Sequence, residues 1–105
     1  MNNIAFFDLY KLLEDIFFIY NIGTIQISDD NNYCTIIFNH NYIKLFPSGE
    51  INGNNCFLFS SESLDILNAL VSELSKKIKI KNAELKIIRQ WSIGRNFIKF
   101  YLKDS

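Results

Sequence analysis

The sequence predicts an α+β domain in which one antiparallel sheet carries two helices packed on a single face. Three observations predict it. Apolar residues recur at helical spacing in two separated stretches. Six short runs rich in β-branched and aromatic residues fill the rest, four between those stretches and two after the second. Asn, Asp and Gly clusters punctuate the runs. The expected order is αββββαββ. A chain of 105 residues, 49% hydrophobic, suits a single domain over 1–105 with one core.

The first helix is expected over residues 3–20, with Asn2 or Asn3 as its cap. Phe6, Leu9, Leu13, Phe17 and Tyr20 form its apolar stripe, which Leu12, Ile16 and Ile19 widen. Asp8, Lys11 and Asp15 mark the polar face, where Lys11 and Asp15 are spaced for an ion pair. So broad an apolar face calls for a sheet, or else a partner chain, to cover it.

Strands follow at 22–28, 33–38 and 42–46, ended by Asp29–Asn32, by Asn39–His40–Asn41 and by Pro47–Ser48–Gly49. A fourth runs over 50–59, with a bend at Gly53–Asn54–Asn55. The second helix starts from Ser60 or Ser61 as cap, with Glu62 and Asp65 where the helix dipole favours anions. Leu64, Leu67, Val71, Leu74 and Ile78 are its buried stripe. Lys76, Lys77 and Lys79 close it where cations are favoured. Strands at 84–91 and 95–103, joined at Ser92–Ile93–Gly94, end the chain.

Formal net charge is zero, but it is unevenly spread. From Lys76 to Lys103 nine basic residues meet Glu84 alone, a balance of +8; the remainder holds ten acids against Lys11 and Lys44, a balance of −8. Either the basic part has an anionic partner, or the two parts neutralise each other across the folded surface. No uncharged run reaches the roughly 18 residues a membrane span needs. The apolar start lacks the preceding positive charge and following small-residue site of a signal peptide, so the chain reads as intracellular and cytoplasmic. Cys34 and Cys56 read as free, buried thiols rather than a disulfide.

No catalytic constellation, metal site or cofactor motif is read. His40 falls in a turn with no group to orient it, and two Cys with one His lack zinc spacing. Asp29–Asp30 reads as a solvated turn. The expectation is a non-catalytic binding module without a cofactor.

The last strand is the most informative segment. Alternation places Asn96, Ile98, Phe100 and Leu102 on one face, toward the core. Arg95, Phe97, Lys99, Tyr101 and Lys103 fall on the other, interleaving cations with rings as nucleic-acid platforms do; Arg89 and Trp91 lie in the neighbouring strand. The competing reading is an edge strand whose charges discourage pairing with other chains.

The segments YIKLFPSGEINGNNC, SSESLDILNALVSELSKKI and ELKIIRQW run as strand, Phe-x-x-Gly turn, strand, long helix and a further strand. Over residues 42–91 this resembles a single repeat of the TATA-box-binding protein fold. The resemblance implies that Phe46 holds the place of an aromatic wedged between base pairs and Gly49 that of the turn glycine. It places Asn52 and Asn54 toward a minor groove, in a transcription-associated protein that reads DNA shape. The sequence departs from that family at Asn55, where a Gly is expected, and in its acidic helix. It also holds only one repeat, so a saddle would need a dimer or a partner chain.

Two functional readings follow. The first is a nucleic-acid-binding module using Phe46, Asn52, Asn54, Arg89, Arg95, Phe97, Lys99, Tyr101 and Lys103. The second is a protein-interaction module, such as an inhibitor, immunity or adaptor protein or a small subunit, whose acidic part steers a basic partner. A homodimer through the last strand is compatible with both. Neither involves a membrane.

Overall fold

The computed structural model describes residues 3–105. Among them, six strands form one antiparallel sheet. These are β1 (Thr24–Ile27), β2 (Cys34–Phe38), β3 (Asn41–Ile51), β4 (Asn54–Ser61), β5 (Ala83–Ile93) and β6 (Arg95–Asp104), in the spatial order β1-β2-β3-β4-β6-β5. Helix α1 (Phe6–Tyr20) precedes the sheet. Helix α2 (Leu64–Lys77), continued by a 3₁₀ turn over Ile78–Lys81, links β4 to β5. The element order is the expected αββββαββ. The chain leaves the sheet after β4, lays down β5 as the far edge, and returns β6 into the gap between them. No helix among the described residues is long and apolar enough to cross a membrane.

Turn chemistry sets the strand limits. Asn39 and His40, at φ 49° and 63°, connect β2 to β3; Asn52 and Gly53, at φ 51° and 81°, connect β3 to β4. Two consecutive left-handed residues match the twist of a two-residue hairpin, and Asn and Gly tolerate that conformation best. Pro47–Ser48–Gly49 is therefore not the turn that was expected. It lies inside β3, where the register slips by one residue between Pro47 and Glu50 and Gly49 takes φ 73°. A bulge accommodates both the proline and the left-handed glycine. The expected strands 42–46 and 50–59 are thus redrawn as Asn41–Ile51 and Asn54–Ser61.

Both helix starts differ from expectation. α1 begins at Phe6 behind Ala5, which makes no side-chain cap bond, so Asn3 is not its cap; Asn2 lies outside the described residues. The helix ends where Asn21 turns left-handed and its N–H reaches back to Phe17 and Phe18. Lys11 pairs with Glu14 at 3.2 Å instead of Asp15, which instead accepts from Lys81 at 3.3 Å. The cap of α2 is Ser63, whose hydroxyl accepts from the Ile66 N–H, rather than Ser60 or Ser61. Ser61 lies in β4, and its hydroxyl accepts from the Ser63 N–H.

Both helices cover the same face of the sheet. Leu9, Leu13, Ile16 and Phe17 of α1 and Leu67, Leu70, Val71 and Leu74 of α2 share one core with the inward residues of the strands. Those strand residues obey alternation: Cys34, Ile36 and Phe38; Ile43 and Leu45; Phe57 and Phe59; Ile98, Phe100 and Leu102. Phe59 and Phe100 stack with centroids 4.6 Å apart, and Phe57 tilts against Phe100 at 5.7 Å. Each such buried Phe contributes about 1.5–3 kcal/mol by leaving water. α1 is less completely covered than its pattern suggested: Ile19 and Tyr20 are exposed, and Phe18 is 87% exposed.

Cys34 and Cys56 are both buried and unpaired. Cys34 lies in the core, whereas Cys56 pairs with Tyr101 on the opposite face, with β3 intervening between their strands. Burial pushes the Cys34 thiol up from 9.0 to about 12.

Two substitutions probe this packing. Phe59→Ala should cost about 3–5 kcal/mol in urea denaturation, because it opens a cavity beneath α1 and α2. Phe18→Ala should stay within about 0.5 kcal/mol of wild type. The stability that Cys34 contributes by remaining protonated is full below pH 9.0 and is lost as pH climbs toward about 12. Because both thiols are buried, Ellman's reagent should leave them untouched in the native protein at about pH 8 and react with them only on unfolding.

Candidate nucleic-acid interface

With both helices on one side, the second face of the sheet is bare of helix. Its membership follows from the register. Thr35, Lys44, Ser60 and Phe97 run across it in one row. Phe46, Leu58, Lys99 and Arg89 form the next. Cys56, Tyr101 and Lys86 follow, then Lys103 beside Glu84. β6 lies between β4 and β5 with both of its edges paired. The edge-strand reading of residues 95–103 is thereby corrected: Arg95, Phe97, Lys99, Tyr101 and Lys103 project from inside the sheet. A dimer joined by backbone pairing along β6 has no free edge to use, and β1 and β5 are the edges instead.

A second bulge enlarges the face. Ile87 pairs with Phe100, but Arg89 pairs with Lys99, so Ile88 is an extra residue. Strict alternation would separate Lys86 from Arg89 and Trp91. The bulge brings all three to the open side.

Most of the face is pre-organised by its own contacts. Trp91 stacks on Phe97 with centroids 5.2 Å apart, and the Arg89 guanidinium lies 4.7 Å over the Trp91 ring. Such ring pairs and cation–ring contacts are each worth about 0.5–1.5 kcal/mol. Phe46 meets Tyr33 at 6.3 Å, and Lys44 reaches both the Tyr33 ring and the Thr35 hydroxyl. Arg95 donates to the Ser60 hydroxyl at 3.0 Å and lies 3.7 Å from Glu62. Glu84 lies 2.9 Å from Lys86 and 3.7 Å from Lys103, and these lysines hold its carboxyl below the usual range.

Charge divides by face. Six of the 11 basic side chains (Lys44, Lys86, Arg89, Arg95, Lys99 and Lys103) belong to the open side, and of the 11 acids Glu84 alone does so among the described residues. The open face therefore carries +5 and everything else −5. The basic tail splits accordingly. Lys77 pairs with Glu73 at 2.7 Å and Lys81 with Asp15, neutralising acids on the helix side.

Eight of the nine residues expected at the site gather here: Phe46, Asn54, Arg89, Arg95, Phe97, Lys99, Tyr101 and Lys103. Asn54 lies on the open side opposite Ile51, beside the hairpin end. Asn52 does not join the face. It is the left-handed first residue of the β3–β4 turn. Sequence reasoning missed Tyr33, Tyr42, Lys44 and Lys86. The alternation of YIKLF carried the signal for Tyr42 and Lys44, because Ile43 and Leu45 are its inward residues.

An open cleft of about 270 Å³ adjoins the top of this face, between the β2–β3 turn and the start of α2. His40, Tyr42, Ser61, Glu62, Ser63 and Arg95 line it. Asp30 is spent within its own loop, accepting from Ser28 at 2.6 Å and from the Asn32 N–H, bonds that lower its carboxyl. Comparisons with protein families, with characterised proteins and with solved structures return no match for this chain.

Proposed function

We propose that this chain is a non-catalytic nucleic-acid-binding module that takes its ligand on the open sheet face. One observation carries the reading: a helix-free platform on which six cations alternate with Phe46, Trp91, Phe97 and Tyr101 while the rest of the surface is acidic. Cations neutralise phosphates and release counterions, rings receive bases, and the negative remainder orients the molecule as it approaches. The resemblance to a TATA-box-binding protein repeat supports the same face. Phe46 lies on it, and a transcription-associated role would use it against DNA.

A protein partner is the second reading, favoured by the β1–β3 half of the same face. Tyr42 is 66% exposed and Ile37 39% exposed as cross-strand neighbours, and interface centres favour such aromatic and aliphatic groups.

Affinity for short DNA and RNA should fall steeply with salt, with a log–log slope of about −0.7 to −0.9 per phosphate neutralised. Lys44→Glu with Lys103→Glu should abolish that binding. Lys76→Glu with Lys79→Glu, the same charge change on the helix side, should leave it nearly intact. Absence of binding at low salt, or equal loss in both variants, would overturn the nucleic-acid reading and favour the protein partner.

A further inference from the structure

Four of the six cations on the open face already have partners. Lys86 and Lys103 flank Glu84, Arg95 is held by Ser60 and Glu62, and Lys44 is held by Thr35 and the Tyr33 ring. Arg89 and Lys99 remain. They are register partners, directly opposite each other on β5 and β6, and among the described residues neither has a carboxylate or other anionic acceptor. Like charges directly opposite on a sheet destabilise it. The fold nonetheless holds this pair in place, with the Arg89 guanidinium kept over Trp91 and Lys99 fixed on an interior strand. The Ile87–Arg89 bulge creates the juxtaposition.

Resting on the nucleic-acid reading above, we propose that Arg89 and Lys99 form a phosphodiester subsite for single-stranded nucleic acid, with an unpaired base stacking on Tyr101. An anion between the two cations removes their repulsion and replaces it with charge-assisted hydrogen bonds. Tyr101 is two residues beyond Lys99 on the same face, and its ring has no ring partner among the described residues. The stacked Trp91–Phe97 pair borders the subsite on the other side. A phosphate so placed has rings along β6 on both sides. Unpaired bases present their π-faces to rings on a sheet without the cost of unstacking a duplex, which makes a single strand the matching ligand.

The test uses fluorescence anisotropy with a labelled single-stranded oligonucleotide and the duplex of the same length, on wild type, Arg89→Gln, Lys99→Gln, the double variant and Tyr101→Leu. Urea melts of every variant without nucleic acid accompany it. The single strand should bind wild type at least about tenfold more tightly than the duplex. Each Gln variant should weaken single-strand binding by about tenfold and lower the salt slope by about 0.7. Lys99→Gln should be as stable as wild type or more stable, since repulsion is relieved, and a merely structural role for Lys99 would lower stability. Arg89→Gln also gives up the contact with Trp91, so its stability is read only as a check that it folds. Tyr101→Leu should weaken binding and leave the salt slope unchanged. Wild-type binding that survives in both Gln variants would overturn the subsite while leaving the open-face reading standing. Duplex binding equal to or tighter than single-strand binding would overturn the single-strand assignment. Failure of wild type to bind either form would remove both.

Discussion

The stack of Phe59 on Phe100, centroids 4.6 Å apart, fastens β6 to β4 beneath the two helices. The rest of the architecture depends on that seam. β6 arrives last in the chain, yet it must enter the sheet between β4 and a β5 that is laid down first. Ile98, Phe100 and Leu102 supply the apolar drive for that insertion. Because side chains alternate, burying those three forces Phe97, Lys99, Tyr101 and Lys103 to the other side. The charged platform is thus a consequence of the core: a one-residue slip of β6 would exchange its two faces, so burial of Ile98, Phe100 and Leu102 fixes which side the cations take.

Placement of both helices on one face gives the platform its extent. Each strand contributes one set of side chains to the interior and one to the open side. The open sets join across β3, β4, β6 and β5 into a continuous surface. A net charge of zero conceals this arrangement. Lys77 and Lys81 turn to Glu73 and Asp15, whereas the cations of β3, β5 and β6 collect on the bare face. The sequence-level asymmetry admitted both internal neutralisation and an anionic partner. The folded surface realises the first on the helix side and leaves the second available on the sheet.

Much of this was legible before the fold was known. Helical spacing located α1 and α2, and alternation sorted residues 95–103 onto the faces they occupy. Arg89, Arg95, Phe97, Lys99, Tyr101 and Lys103 follow from pattern and residue type and Phe46 from the resemblance to a TATA-box-binding protein repeat, and they share one face. The strand order was not legible, because nothing local distinguishes an edge from an interior β6. The bulges were hidden for a related reason. One extra residue at Ile88 or at Ser48–Gly49 reverses alternation without altering composition. Lys86 consequently joins Arg89 and Trp91 against a period of two, and a Pro–Ser–Gly sequence with strong turn character runs within a strand. Caps shifted by two or three residues wherever several small polar residues competed, as with Ser60, Ser61 and Ser63.

The most direct test of the central claim is NMR observation of side-chain signals during titration with a short single-stranded oligonucleotide at low salt. Trp91 is the sole tryptophan, so its indole N–H reports one corner of the platform without ambiguity. The account predicts progressive shifts in Trp91, Phe97, Tyr101 and the Lys44 and Lys99 side chains, with Phe7, Phe18 and the α2 leucines silent. Shifts confined to the helix side, or none at all, would contradict it.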